Sequence, residues 1–205
     1  MFEPWFVEMV SLLSDVVVGL SALVVSVAAV VGLTQWRSEL KGKARLDMAR
    51  QLTILAYRFR DLYHSARGII TFGQESVDRE VLPGEEPDEK RYRNEYFARM
   101  NRVRLLQETM RELYQASWEG EVVFDVDVEG LIRPLAKCFN DLWVAVDTYF
   151  SHHIERARVG AQPDSSDAAW LREYHRTIYG HAEDERAKLV TDNVKHLVLE
   201  IRAVV

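Results

Sequence analysis

The sequence predicts an all-α protein in which one N-terminal transmembrane helix continues into a cytoplasmic helical bundle. Residues 16–33 form an uncharged stretch of eighteen residues. Such a stretch is long enough to cross a hydrocarbon core of about 30 Å as a helix. The polar remainder carries apolar residues at helical spacing, which favours helices packed on one another. We therefore expect a transmembrane segment over residues 1–36 and a helical bundle domain over residues 37–205.

The charges that flank the apolar stretch predict its orientation. Residues 1–15 contain three acidic and no basic residues, whereas residues 34–50 contain five basic and two acidic residues. By the positive-inside rule the C-terminus is cytoplasmic, and the chain is a single-pass protein of the bacterial inner membrane. The acidic start differs from the basic n-region of a cleaved signal peptide. The lipid bilayer is thus an expected partner, with membrane-interface contacts from Trp5, Trp36, Arg37, Lys41, Lys43 and Arg45.

Small and polar residues of the apolar stretch collect on one half of the helical wheel, and branched residues collect on the other. Lipid solvates all sides of a lone helix equally, so this sorting favours contact between helices, which small residues let approach closely. We therefore predict a homo-oligomer. Asp15 is either a helix-end charge that reaches interfacial water or part of an acidic ring around a wet lumen. The predicted oligomer or pore face comprises Ser11, Asp15, Gly19, Ala22, Ser26 and Ala29.

Helical periodicity continues after the span. A first stripe runs from Leu52 to Ala66, and no proline lies between the span and Gly68 to end the membrane helix. Residues 69–90 read as a loop because they contain Pro83, Gly84 and Pro87. A second helix is predicted over about residues 91–118.

The C-terminal third also reads as helical. A helix over about residues 128–157 follows an extended connection that begins at Val122, and it tolerates Pro134 only in its first turn. Asp167 is the expected cap of a short helix that Gly180 interrupts. The last helix carries a stripe of Val190, Val194, Leu197, Ile201 and Val204.

Composition restricts the chemistry. Beyond residue 50 the chain has 27 acidic and 21 basic residues, so no basic face for duplex nucleic acid is expected. The single cysteine, Cys138, lies on an apolar stripe and is expected to be buried. No glycine-rich phosphate loop, paired-cysteine site, nucleophile elbow or HExxH occurs, so no cofactor and no metal site is predicted. The acidic residues around His175, His181 and Asp184 are explained by a solvated helix start.

One pattern has a catalytic counterpart. RNases of the HEPN class use Arg-x4-6-His, in which the arginine steadies phosphate charge and the histidine transfers protons at the 2′-hydroxyl. Arg176 and His181 fit with four intervening residues, and Arg58 and His64 fit with five. Chance alone accounts for this number of matches. Arg176 and His181 are therefore candidate catalytic residues that we expect to matter for structure rather than for catalysis.

The overall layout resembles the small membrane accessory protein of type VI CRISPR systems. The resemblance rests on the single N-terminal span, the basic linker QWRSELKGKARLDMARQL, the helical body and the motif of Arg176 and His181. It implies a divergent HEPN-like bundle and a membrane pore of several subunits that acts in antiphage defence, with a CRISPR effector or another defence protein as partner. A membrane-tethered HEPN-like RNase and a non-catalytic membrane anchor or adaptor are the alternatives.

Overall fold

The fold is all-α, as predicted. The computed structural model describes residues 4–68, 73–160, 168–180 and 184–205, with side chains in the first helix at residue 13 and from residue 17 onward. No strand occurs in these ranges. The described elements are α1 (Pro4–Ala66), a 3-10 turn (Gly73–Ser76), α2 (Pro87–Phe124), α3 (Val128–Val159), α4 (Ala168–Ile178) and α5 (Glu185–Ala203).

The chain divides into two compact units, Met1–Ala44 and Arg45–Val205. In the first unit, an 18-residue window of α1 has a mean hydropathy of 2.4, and none of it is buried. It is the one segment of the described ranges that is long and apolar enough to cross a membrane. Length and composition thus allow α1 to be a membrane span.

The core of the second unit forms where the predicted stripes meet. On α1, Leu52, Ala56 and Phe59 are fully buried. The apolar stripes of the other long helices also point inward, as their periodicity predicted. Buried members of those stripes are Val103, Leu106, Met110 and Leu113 on α2, Leu135, Cys138, Leu142 and Val146 on α3, and Val190, Val194, Leu197 and Ile201 on α5.

The connection between α2 and α3 is shorter than predicted. Residues 122–124 belong to the last turn of α2 and are not extended. Asp125 ends that helix in a left-handed conformation (φ 60°), and its N–H donates to the carbonyl of Glu121 at 2.9 Å. Phe124 and Val128 are buried on either side of this tight turn, whereas Val122 and Val126 are exposed. The alternation of residues 122–128 that resembles a strand therefore comes from the end of α2 and the start of α3.

The start of α3 places Pro134 differently from the prediction. Asp127 caps the helix by accepting a hydrogen bond from the N–H of Gly130 at 2.6 Å, so α3 begins at Val128. Pro134 then lies in the second turn rather than the first. Its missing N–H removes the intrahelical donor for the carbonyl of Gly130. The burial of flanking residues Ile132 and Leu135 holds the turn in place.

The loop that precedes α2 is anchored by ion pairs. The guanidinium of Arg79 lies 2.7 Å from the carboxylate of Glu85, and both side chains are nearly buried. Its hydrogen bonds hold the pKa of Glu85 at about 2. Arg102 of α2 pairs at 2.6 Å with Glu75 in the 3-10 turn. Described residues of the predicted 69–90 loop are thus tied to α2, which begins at Pro87.

Truncation of Leu106 tests the inward face of α2. Leu106→Ala is expected to lower the free energy of unfolding by about 2–5 kcal/mol, because it removes buried methyl groups and leaves a cavity. Its neighbour Leu105 is 49% exposed and provides the matched control, with an expected loss below about 1 kcal/mol. Thermal unfolding followed by circular dichroism in mild detergent compares them. Equal losses would contradict the assigned face.

Candidate functional site

Two buried arginines lie where the ends of α1 and α4 meet. Arg67, directly after α1, is 2% exposed, and Arg99 of α2 is 0% exposed. Burial of a guanidinium without hydrogen-bond partners costs free energy. The contacts of these two arginines are therefore important for the stability of the fold. We call the group of Arg67, Glu95, Arg99, Tyr179 and Asp184 the arginine–tyrosine cluster.

Arg67 binds the end of one helix and the start of another. Its Nε donates to the carbonyl of Thr177 at 2.7 Å, and its Nη2 donates to the carbonyl of Arg176 at 3.0 Å. Its Nη1 and Nη2 also donate to the carboxylate of Asp184 at 2.9 and 2.6 Å. Carbonyls of the last helical turn have no intrahelical donor. One side chain therefore satisfies the end of α4 and pairs with the residue that caps α5.

Arg99 connects α2 to the end of α1 and to Tyr179. Its Nη1 donates to the carbonyl of Ala66 at 3.1 Å, and its guanidinium lies 4.2 Å from the ring centroid of Tyr179. Glu95 accepts hydrogen bonds from the Tyr179 hydroxyl at 2.6 Å and from Arg99 at 3.4 Å. Burial, followed by the hydrogen bond to Glu95, raises the pKa of Tyr179 far above its usual value. Tyr179 is thus a permanent hydrogen-bond donor.

Gly180 follows the end of α4, as predicted, and is also required by packing. A Cβ atom at this position would overlap the guanidinium of Arg67 and the carboxylate of Asp184. Asp184 in turn accepts from the N–H of Ala187 at 2.8 Å and caps α5. Burial raises the pKa of Asp184, but the hydrogen bonds from Arg67 and Ala187 outweigh it and hold this pKa below its usual value. The carboxylate therefore stays ionised in this contact.

A groove of about 690 Å³ opens beside the cluster. Charged side chains of both signs line it. Lys137 pairs with Asp141 at 2.8 Å, and Arg186 pairs with Glu173 at 2.6 Å. Arg176 also lines the groove and makes no ion pair with a described residue. The balanced charge suits a polar surface or ligand better than an apolar one.

The structure places one member of the predicted catalytic pair. Arg176 lies in the last turn of α4, which ends at Ile178, while His181 lies outside the described residues. In the other match, Arg58 is paired with Glu112 of α2 at 3.1 Å. Burial and nearby cations lower the pKa of His64.

The adjacent histidines of α3 pack against different aromatic side chains. His153 stacks on Tyr92 with ring centroids 4.8 Å apart, whereas His152 packs against Trp170 at 5.0 Å. Burial, aided by His152 and Arg156, lowers the pKa of His153. Among the described residues, no group of three or more possible ligands is placed to hold a metal ion. Cys138 is buried, as predicted, and burial raises the pKa of its thiol.

The predicted oligomer face lies on the first unit. Gly19, Ala22, Ser26 and Ala29 are exposed, and nothing lies within 4 Å of a Cβ built on Gly19. The side chains of Ser11 and Asp15 lie outside the described residues, although both positions belong to α1.

The predicted membrane-interface residues are mostly free of protein contacts that the structure describes. Trp36, Arg37, Lys41 and Lys43 are exposed. Arg45, in the second unit, donates from Nε to the carbonyl of Val123 at 3.3 Å. The side chain of Trp5 lies outside the described residues.

Sequence reasoning missed the arginine–tyrosine cluster. The available signal was the position of Arg99, which follows Tyr96 by three residues and precedes Val103 by four on the buried stripe of α2. A charged residue on an apolar stripe requires buried partners. Those partners, Ala66 and Tyr179, come from remote parts of the chain.

Comparison with known proteins identifies no relative. No protein-family model, no curated protein and no solved structure matches this chain. Its function is therefore inferred from the exposed helix face and from the geometry of the second unit.

Replacement of Gly180 tests the cluster. Gly180→Ala is expected to lower the free energy of unfolding by about 2–3 kcal/mol, because the added methyl group separates Arg67 from Asp184. Gly73, where a Cβ would meet nothing within 4 Å, provides the control variant Gly73→Ala. Circular dichroism melting measures both. A Gly180→Ala protein as stable as the Gly73→Ala protein would show that the contact is dispensable.

Acid is expected to destabilise the fold through two half-buried histidines. Burial lowers the pKa of His64 and His153 below the ordinary 6.5. Below that pH the unfolded chain binds more protons than the folded protein, so the free energy of unfolding falls. The melting midpoint should drop between about pH 7 and about pH 5. The drop in melting midpoint should be smaller in His153→Phe, which keeps an aromatic ring stacked on Tyr92. A drop equal to that of the wild-type protein would exclude this role of His153.

Proposed function

We propose that this chain is a homo-oligomeric, single-span protein of the bacterial inner membrane whose assembled helix permeabilises that membrane in antiphage defence. One observation carries the proposal. The apolar segment of α1 is exposed on all sides, and its small residues share one face. The defence role follows from the resemblance of the layout, and the remaining steps follow from the chemistry of the helix.

The apolar segment requires a nonaqueous environment. Its valine and leucine side chains between Val17 and Leu33 are each between 47% and 68% exposed. Soluble monomers rarely expose contiguous apolar patches larger than a few hundred Å². A bilayer solvates such a helix on every side, and the length of the segment matches the hydrocarbon thickness. The lipid bilayer is therefore the first proposed partner.

Polar groups within the segment are compatible with lipid. The hydroxyl of Ser21 donates to the carbonyl of Val17, and that of Ser26 donates to the carbonyl of Ala22, both at 2.8 Å. Each hydroxyl is thus satisfied inside the helix and needs no water. A serine bound in this way adds little bulk. The small face can then approach a neighbouring helix closely.

Self-association is the proposed role of the small face. Gly19 and Gly32 leave open space where other residues carry a side chain. Close helix approach in membranes gains van der Waals contact that lipid cannot supply equally well. Several copies arranged around an axis would bring their Asp15 positions together near the outer end of the span. Such an acidic ring favours cations in a wet lumen.

The proposed orientation places the second unit in the cytoplasm. Arg37, Lys41 and Lys43 are exposed and lie between the apolar segment and the second unit in sequence. Anionic lipids of the inner leaflet attract basic residues in this position. The second unit then provides a cytoplasmic surface for a defence protein such as a CRISPR effector.

Reporter fusions test the orientation. Because basic residues follow the span and none precedes it, a C-terminal cytoplasmic reporter is expected to be active. A periplasmic phosphatase at the same position is expected to be inactive. The reverse pattern would contradict the topology and, with it, the cytoplasmic role.

Substitutions in the span test assembly. Gly19→Leu is expected to shift the protein to smaller species, because the added side chain forces neighbouring backbones apart. Val24→Leu, on the branched half of the wheel, is the matched control and should leave assembly unchanged. Light scattering in mild detergent and in nanodiscs measures particle mass. A wild-type protein that is monomeric in both would contradict the oligomer.

Liposome flux separates a pore from a scaffold. Wild-type protein reconstituted in vesicles is expected to release a small cationic dye, and the Gly19→Leu variant is expected to release less. Oligomers with background flux in the presence and absence of a candidate effector would contradict permeabilisation. The membrane anchor or adaptor function would then be favoured.

A further inference from the structure

Two surface grooves flank the part of α1 that begins the second unit. One lies between α1 and α5 and the other lies between α1 and α2, and each has a volume of about 410 Å³. Arg50 and Ile54 line both grooves. These residues therefore form a ridge with a groove on either side. The ridge is apolar in part, since Ile54 is 54% exposed and Leu46, in the α1–α5 groove, is 60% exposed.

The two grooves differ in the charged residues that line them besides the shared Arg50. The α1–α5 groove contains Arg202, whereas the α1–α2 groove contains Asp47 and Glu112. Glu112 is already paired with Arg58. Asp47 and Arg202 are exposed, and neither makes an ion pair with a described residue. A surface that is basic on one side and acidic on the other complements a second copy placed beside it in the same direction.

Asp47 and Arg202 flank the same stretch of α1. Arg202 lines a groove beside Leu46 to Ile54, and Asp47 lines the groove on the other side of the ridge. Copies that pack side by side along this ridge can bring Arg202 of one copy opposite Asp47 of the next.

We propose that a second copy of this chain docks on these grooves, with the α1–α5 groove of one copy against the α1–α2 groove of the next. Arg202 faces Asp47 across the contact, and the exposed side chains of Leu46 and Ile54 are covered. The contact is heterologous, and it forms a ring where the rotation between neighbouring copies closes around an axis. This inference rests on the proposed oligomer and extends its interface from the span into the second unit.

Charge reversal and its rescue test the contact in the full-length protein. Asp47→Arg and Arg202→Asp are each expected to raise the dissociation constant of the oligomer by on the order of tenfold, because like charges then face each other. The double variant restores an opposite pair and should regain most of the wild-type affinity. Lys188→Asp changes an exposed charge elsewhere on α5 and is the matched control. Light scattering over a dilution series in mild detergent gives the dissociation constants, and circular dichroism verifies that each variant is folded.

The possible results distinguish this inference from the proposed function. Loss in both single variants with recovery in the double variant supports the contact. If both single variants assemble like the Lys188→Asp control while Gly19→Leu does not assemble, the contact is wrong and the oligomer of the span stands. Loss without recovery shows that the two charges do not face each other and also overturns the contact. A monomeric wild-type protein contradicts the proposed function itself.

Discussion

The guanidinium of Arg67 is the contact on which the C-terminal half of the bundle depends. It is almost fully buried and binds two carbonyls of the last turn of α4 and the carboxylate that caps α5. Because Arg67 directly follows α1, one side chain connects the end of α4 and the start of α5 to the end of α1. A lysine would not replace it, since a single ammonium lacks the planar fork that reaches carbonyls and carboxylate together. The requirement for glycine at position 180 is a consequence of the same geometry.

This role argues against chemistry at the arginine–tyrosine cluster itself. The hydrogen bonds of Arg67, Arg99 and Tyr179 are directed to backbone carbonyls and to carboxylates of the same cluster. A group that stabilises a reacting substrate needs donors that point to an accessible position. The described donors are instead used to hold helix ends. Functional contacts of this protein are therefore expected at exposed surfaces, namely the small-residue face of the apolar segment, the charged groove and the paired grooves beside α1.

Helix α1 changes in character along its length. From Val17 to Leu33 it is exposed and predominantly apolar, whereas from Met48 onward one face is buried in a core and the other is mostly polar. The first pattern suits lipid and the second suits an interface between protein and water. In the proposed oligomer, the charged and apolar side chains beside Arg50 and Ile54 are available for contacts between copies.

Much of the fold is predictable from local pattern. The stripes of α1, α2, α3 and α5 predict which residues are buried, because a helix repeats its inward face every three to four residues regardless of what it packs against. Helix ends are less predictable. Residues 122–124 have the alternation of a strand, yet the capping of α3 by Asp127 and the left-handed turn at Asp125 make them helical.

By itself the sequence determines the all-α class, the apolar segment, its small-residue face and the charge asymmetry around it, since each is a property of neighbouring residues. The tertiary structure alone decides that Arg67 is buried, because its partners at Thr177 and Asp184 are more than a hundred residues away. It also decides that Arg202 lines a groove with Leu46 and Ile54, because that depends on where α5 packs against α1. Burial of charge and complementarity of surfaces arise between remote segments, and no local pattern encodes them.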